Sequence, residues 1–254
     1  MNQKPAIEVH NLTVRFGDFV VLDDVSITVP SGSSTGIIGP NGAGKTTLFH
    51  ALTGDIFGES GRVELNGYPV AQRNPSQVAR LGVGKLFQDV RIFRNLTVRE
   101  NLMAALHENG QRSWSRAWFR RAGAKAADAQ REKLESILTR ISLTKEADQL
   151  AGSLSYGNQK TLAIGRLLAG RFSVLLLDEP MAGLSPQRAE RVSTLIEEIA
   201  TEMDLTVLLI EHNMQHVRKL CTRTIALNRG KVFADGATDT VLDNPAVREI
   251  CLGL

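Results

Sequence analysis

The fold of this chain is decided by Gly39-Pro40-Asn41-Gly42-Ala43-Gly44-Lys45-Thr46-Thr47. This stretch follows a β-like segment, Ser34–Ile38, and leads into an apolar, helix-compatible segment, Thr47–Leu52. In that context the spacing G-x-x-x-x-G-K-S/T predicts a loop whose backbone N–H groups surround phosphate oxygens at the start of a helix. The alternative, a Gly-rich turn that happens to precede a helix, leaves the spacing, the strand and the second threonine unexplained.

Two side chains of this loop add chemistry to the backbone. Lys45 can reach the β- and γ-phosphates of a nucleoside triphosphate, and Thr46 can ligate Mg²⁺. We therefore predict that the chain binds a nucleoside triphosphate, through Gly39, Pro40, Asn41, Gly42, Ala43, Gly44, Lys45, Thr46 and Thr47.

Composition restricts the remaining possibilities. With 43% hydrophobic and 22% charged residues, the 254-residue chain resembles an ordinary globular protein with a sizeable core. Aromatic residues make up only 5%, which argues against a stacking platform for single-stranded nucleic acid. The net charge of +3 does not choose between an acidic partner, an anionic membrane face and a nucleotide.

Compartment is indicated by the cysteines and by the apolar runs. Cys221 and Cys251 form neither a C-x-x-C pair nor a metal-like spacing, which favours a reduced cytoplasmic compartment. Met1–Ala6 is polar, so we expect no signal peptide. Val174–Leu177 and Thr206–Ile210 fall far short of the roughly 20 residues of a spanning helix, so we expect no membrane crossing.

Periodicity predicts the layout of the fold. Apolar residues spaced by two indicate half-buried strands near the N-terminus, and Asn66-Gly67 indicates a hairpin within Arg62–Val70. Residues 98–169 look mainly helical, and the chain then alternates strand and helix, with Asn228–Gly230 marking a last hairpin. We predict an α/β fold with a mainly parallel sheet, an N-terminal antiparallel β layer and a helical lobe at about 90–170, all in one domain, 1–254. The strand pattern rests on Leu12, Val14, Phe16, Val25, Ile27 and Val29, and the helical pattern on Leu134, Ile137, Leu138 and Ile141.

A basic segment with two tryptophans, at 107–125, stands out within the helical part. It is either a surface that meets lipid headgroups or a partner, or simply a solvated basic helix.

An acidic pair follows a second buried strand, in Ser173-Val174-Leu175-Leu176-Leu177-Asp178-Glu179-Pro180. At the carboxyl end of such a strand Asp178 can hold Mg²⁺, while Glu179 points toward the γ-phosphate and polarises an attacking water. Although acidic turns after strands are common in α/β proteins, the phosphate loop upstream favours the catalytic interpretation.

Just ahead of the acidic strand, Leu154-Ser155-Tyr156-Gly157-Asn158 resembles the LSGGQ signature of the ABC ATPases. With the phosphate loop and the acidic strand in the same order, the whole chain resembles an ABC-transporter ATP-binding subunit. Tyr156 and Asn158 depart from the signature. Ser155 and Gly157, the two positions that make most of the phosphate contact in the family, are retained.

The resemblance assigns further residues one at a time. Phe16 matches the aromatic residue that stacks on adenine, although a lone phenylalanine suits the core equally well. Gln88 matches the glutamine that senses the γ-phosphate and Mg²⁺ and adjoins the coupling surface. His212 matches the switch histidine that contacts the γ-phosphate. Ser185 stands where many members have aspartate, which leaves open how this chain makes its cross-dimer contact.

The same resemblance implies partners and cofactors. In the family, the signature of one subunit closes over the ATP of another, so ATP, Mg²⁺ and a second ATP-binding subunit, identical or related, are implied. Integral membrane permease subunits and, indirectly, a solute-binding protein are implied as well. The expected location is peripheral, on the cytoplasmic face of the inner membrane, and no nucleic-acid partner is expected.

Local features resemble the branched-chain amino acid uptake subfamily, whose relatives also carry urea, short amides and aromatic acids. These features are Leu154–Gly157, Phe87–Phe93, the basic segment at 107–125, Leu209–Met214 and Arg248–Gly253. One alternative is an ATPase for lipid or lipopolysaccharide extraction, which usually lacks the basic segment. Another is a soluble ABC protein that acts on DNA or ribosomes, which usually has two ATPase units, a long coiled coil or zinc cysteines.

Overall fold

The structure is a computed structural model that describes residues 4–106 and 124–252, with the backbone alone at 124–127 and 252. The basic segment predicted at 107–125 therefore lies outside the described residues, apart from its last two positions, where a helix begins.

Strands and helices in the described part of the chain have the following bounds. The strands are β1 (Pro5–Phe16), β2 (Phe19–Pro30), β3 (Ser34–Ile38), β4 (Ser60–Leu65), β5 (Tyr68–Pro69), β6 (Val83–Leu86), β7 (Val174–Asp178), β8 (Thr206–Ile210), β9 (Arg223–Asn228) and β10 (Lys231–Ala237). The helices are α1 (Lys45–Leu52), α2 (Pro75–Ala79), α3 (Val98–Leu106), α4 (Ala124–Arg140), α5 (Tyr156–Ala169), α6 (Pro186–Glu202), α7 (Met214–Leu220), α8 (Thr238–Leu242) and α9 (Pro245–Leu252), with a 3₁₀ turn at Ala151–Ser153.

The first sheet is antiparallel, in the order β2-β1-β4-β5. Alternate residues of β1 and β2 are buried because successive side chains of a strand point to opposite faces. Asn66 and Gly67 join β4 to β5 with φ values of 52° and 77°, the left-handed conformation that a two-residue hairpin turn requires. The predicted N-terminal antiparallel layer is confirmed.

The second sheet has the order β10-β9-β3-β8-β7-β6. All its strands are parallel except β10, which forms the predicted hairpin with β9. Every residue of β7 and β8 is buried, as expected of parallel strands covered on both faces. The carboxyl ends of β3, β6, β7 and β8 therefore lie along the same edge of the sheet, where sites of open α/β sheets form.

The described residues divide into two compact units. One lies within 1–88, 172–182 and 189–254 and contains both sheets; the other lies within 89–171 and 183–188 and is mainly helical. The predicted apolar face is buried, with Leu134, Ile137 and Leu138 on α4 and Ile141 directly after it. The single domain, 1–254, stays a prediction. Within the ranges that the structure describes, no helix has the length and apolar character needed to cross a membrane.

Candidate functional site

The predicted phosphate loop connects β3 to α1 and depends on two glycines for its path. Gly39 and Gly44 have φ values of 148° and 102°, which residues with a side chain rarely adopt. A Cβ on Gly39 would lie 2.2 Å from the carbonyl oxygen of Leu227, and one on Gly44 would lie 2.6 Å from Cδ2 of Leu22. The surrounding strands therefore exclude other residues at both positions, independently of any ligand.

Lys45 folds back into this loop. Its side chain is buried, and Nζ donates hydrogen bonds to the carbonyl oxygens of Gly39, at 2.8 Å, and Pro40, at 2.9 Å. Burial lowers the pKa of the Lys45 amine, and the nearby charges of Glu179, Cys251 and Asp178 act in the opposite direction. An ammonium has three donors, so one remains for a ligand while the other two hold the loop.

A cavity of about 360 Å³ opens beside the loop. Its volume suits a small molecule, and its lining includes Arg229, a residue that sequence reasoning did not single out. Lys45, Asp178 and Glu179 are not among its lining residues, so the cavity does not contain them. The lining residues are Pro40, Asn41, Gly42, Ala43, Asn228, Arg229 and Ile250.

The two carboxylates at the end of β7 have different environments. Asp178 is the last residue of the strand and is only 4% exposed. Burial raises the pKa of its carboxyl, the charge of Glu179 raises it further, and Lys85, His50 and Lys45 act against both. Glu179 has a φ of 48°, and its N–H donates to the carbonyl oxygen of Ile210 at 3.0 Å.

Three predicted residues meet around the Glu179 carboxylate. His212 Nε2 lies 2.8 Å from Oε1, and Gln88 Nε2 donates to Oε2 at 3.5 Å. His212 follows β8, Glu179 follows β7 and Gln88 follows β6. The parallel alignment of these strands brings the three residues to one edge of the sheet. The structure thus brings together the proposed base, switch histidine and sensing glutamine.

Glu211 is a residue of this site that sequence reasoning missed. It is 5% exposed, and its carboxylate accepts hydrogen bonds from the backbone N–H groups of Met181 at 3.2 Å, His212 at 3.1 Å and Asn213 at 3.4 Å. It therefore ties the turn that carries His212 to the segment that follows Glu179. The only sequence signal was an acidic residue directly after a fully apolar strand.

Phe16 lies at the end of the β1–β2 hairpin and is 55% exposed, so it is not a core residue. It pairs across the hairpin with Phe19, which is more exposed still and was not singled out. An exposed ring is available for stacking on a planar ligand.

The signature-like segment belongs to the second compact unit. Ser155 is the N-cap of α5, and its Oγ accepts from the N–H of Asn158 at 3.3 Å. Tyr156, which replaces the first glycine of the signature, is half exposed, and its ring would lie 3.2 Å from a Cβ on Gly183. Ser185 is exposed and directly precedes α6.

Fold and site together define a P-loop nucleotide-binding ATPase. The chain belongs to the ABC transporter family, whose sequence model matches residues 22–182. It is accordingly an ABC-type ATP hydrolase and an ATP-binding subunit.

Relatives support this assignment along the whole chain. The chain is 36% identical, over 98% of each chain, to the high-affinity branched-chain amino acid transport ATP-binding proteins BraF of Pseudomonas aeruginosa and LivG of Escherichia coli K12. Among solved structures it resembles a nucleotide-free ATP-binding cassette from an ABC transporter, with a TM-score of 0.81, 31% identity, and coverage of 97% of this chain and 98% of that one. It also resembles the ADP conformation of the cassette MJ1267, with a TM-score of 0.81, 30% identity, and coverage of 99% and 100%.

Asp178→Asn is expected to stabilise the nucleotide-free protein. Because burial raises the pKa of this carboxyl, the folded state binds its proton more readily than the unfolded state does. Stability therefore falls as pH rises from the ordinary value of 3.8 through the raised one. At pH 7 the variant should gain about 1 kcal/mol, or about 2–4 °C in Tm, and the gain should shrink as the pH falls.

Thermal unfolding without Mg²⁺ or nucleotide, at pH 7 and at lower pH, measures this effect. The control is Asp18→Asn, which removes the same charge from an exposed turn and should change stability by less than about 0.5 kcal/mol. A Tm for Asp178→Asn below that of the parent at pH 7 would contradict the prediction.

Proposed function

We propose that this chain is the ATP-hydrolysing subunit of an ABC importer for branched-chain amino acids or related small solutes. The observation that carries the proposal is the 36% identity to BraF and LivG over 98% of each chain. Because the match runs end to end, it includes the phosphate loop, the signature-like segment and the acidic strand. The substrate itself is inferred from the relatives' names, since an ATP-binding subunit does not touch the transported solute.

In this proposal Glu179 is the general base. A carboxylate at the edge of the sheet can accept a proton from water as the water attacks the γ-phosphate of ATP. His212 and Gln88 contact its two oxygens, which gives the carboxylate a defined direction. When ATP binds, His212 and Gln88 would exchange their contacts with Glu179 for contacts with the γ-phosphate.

Lys45 and the loop bind the phosphates. The backbone N–H groups of residues 39–47 and the start of α1 favour anionic oxygens. Lys45 would exchange one or both of its carbonyl contacts for charge-assisted bonds to the β- and γ-phosphates. The exposed ring of Phe16 would stack on the adenine.

The residues proposed for Mg²⁺ fit that ion. Thr46, Asp178 and Gln88 offer a hydroxyl, a carboxylate and an amide oxygen, the hard donors that Mg²⁺ prefers. Burial raises the pKa of the Asp178 carboxyl, so its charged form is disfavoured there, and a bound cation would compensate for that charge. In the described ranges no cluster of three or more His, Cys, Asp or Glu suited to a metal occurs. The other ligands of the ion would be substrate phosphates and water. When bound, the ion would neutralise charge developing on the phosphate oxygens.

The proposal includes partners. Ser155 and Gly157 would bind the γ-phosphate of an ATP held by a second ATP-binding subunit, identical or related. Permease subunits would receive the resulting motion near Gln88, and a solute-binding protein would deliver the solute. The subunit would sit peripherally on the cytoplasmic face of the membrane, with no nucleic-acid partner.

Reconstitution tests the importer assignment. The complex of this chain with its permease subunits and solute-binding protein is placed in proteoliposomes, and ATPase activity is measured with a panel of ligands. We expect stimulation by leucine, isoleucine or valine, or by a related amide or aromatic acid, and none with Glu179→Gln. Stimulation by lipid or lipopolysaccharide alone would instead indicate extraction, and would overturn the importer assignment.

A further inference from the structure

Arg188, the third residue of α6, belongs to none of the sequence motifs of the site. We propose that it is a further residue of the Ser155–Gly157 half-site, which orients the Ser155 hydroxyl and brings a positive charge to the γ-phosphate. This inference rests on the proposed sharing of ATP between two subunits. Arg188 lies in the same compact unit as the signature-like segment.

The Ser155 hydroxyl accepts two hydrogen bonds from within the chain. A hydroxyl has two acceptor lone pairs and one O–H donor. Ser155 Oγ accepts from the N–H of Asn158 at 3.3 Å and from Nη1 of Arg188 at 3.0 Å. Both lone pairs are then engaged within the chain, and only the O–H remains. Such a hydroxyl recognises an acceptor, and a phosphate oxygen is a strong one.

The space around Gly157 is filled by the side chain of Arg188. A Cβ at this position would lie 2.2 Å from Nη1 of Arg188 and 3.0 Å from its Cδ. The guanidinium therefore occupies the space that any other side chain at position 157 would take. Because position 157 is a glycine, the Arg188 guanidinium can lie beside Ser155 and Gly157, the two residues that the family uses for phosphate contact.

The charge of Arg188 suits a phosphate ligand. The side chain is exposed, and within the described ranges the guanidinium forms no ion pair with a carboxylate. Its fork-shaped set of N–H donors matches the oxygens of a phosphate group, and Nη1 alone is engaged by Ser155. An uncompensated guanidinium held beside an O–H donor suits a ligand with several negative oxygens.

The experiment uses the Glu179→Gln chain as its parent, because slow hydrolysis should hold ATP in the shared site. Dimer formation is followed by sedimentation velocity as a function of ATP concentration. Binding of a fluorescent ATP analogue to the monomer is measured separately, at protein concentrations too low for dimers. Arg188→Ala is compared with Arg188→Lys and with Arg191→Ala, which removes the same charge from an exposed position one turn further along α6.

Arg188→Ala should raise the ATP concentration for half-maximal dimerisation at least about tenfold, because a hydrogen bond to a charged group is lost at each shared site. Arg188→Lys should recover part of this loss, since it keeps the charge without the fork. Arg191→Ala should match the parent. Monomer affinity should be unchanged in all variants, because the phosphate loop and the proposed half-site bind different ATP molecules.

Three outcomes would overturn the assignment. An Arg188→Ala chain that dimerises at the ATP concentration of Arg191→Ala would show that Arg188 takes no part in the half-site. Equal losses of dimerisation and of monomer affinity would show a structural role. A parent that forms no dimer at any ATP concentration would overturn the sharing of ATP between two copies of this chain, and the role of Arg188 with it, which distinguishes failure of the shared site from failure of this inference.

Discussion

Glu179→Gln is expected to lower the ATPase rate by about 10²–10⁴-fold, the usual contribution of a general base, while leaving ATP binding intact. The glutamine keeps the shape of the side chain, so its two terminal atoms can still meet His212 and Gln88. What it loses is the ability to take a proton from water. The charge that the substitution removes opposes ionisation of the nearby Asp178 carboxyl. Removing this negative charge does not weaken the binding of an anionic ligand such as ATP.

Single-turnover hydrolysis and gel filtration measure the two halves of this prediction. The variant should elute as a dimer with ATP and as a monomer with ADP, since in the proposed arrangement the γ-phosphate joins the two half-sites. The control is Glu198→Gln, an exposed position on α6, which should hydrolyse ATP at the parental rate. Hydrolysis by Glu179→Gln at that same rate would remove Glu179 as the base.

The parts of the fold that depend on neighbours in sequence were predictable. Fully apolar runs predicted β7 and β8, and Asn66-Gly67 predicted a turn that only left-handed backbone can make. These inferences need no knowledge of how distant side chains pack. Gln88 and His212 were assigned through the family resemblance, and the rule that parallel strands end at one edge of the sheet explains why they meet Glu179.

Other features depend on contacts between residues far apart in sequence. Glu211, which follows β8, accepts a hydrogen bond from the N–H of Met181, which lies beyond the end of β7. Arg188, near the start of α6, donates a hydrogen bond to Ser155 at the start of α5. Neither residue type nor spacing signals such contacts. The exposure of Phe16 could not be inferred either, because the alternation that buries Leu12 and Val14 applies equally to the next residue in the series until the strand leaves the core.

Lys45→Ala is expected to weaken ATP binding by more than about 100-fold, since bonds to two phosphates, each worth about 1.5–3 kcal/mol, are lost. In the structure the ammonium already bonds to the carbonyl oxygens of Gly39 and Pro40. Its removal therefore also loosens the loop. Lys45→Met, which fills more of the same space without charge, separates the two effects: both variants should lose ATP, but the methionine variant should retain more of the parental Tm.

Equilibrium binding of a fluorescent ATP analogue provides the measurement. Lys219→Ala removes the same charge from α7, where it pairs with Glu190 and Glu197, and should change the Kd by less than about twofold because exposed charges are screened by salt. Retained ATP affinity in both Lys45 variants would overturn the phosphate-loop assignment. Loss of affinity in the alanine variant alone would mean that the lysine acts by holding Gly39 and Pro40 in place, and that the backbone N–H groups bind the phosphates without its charge.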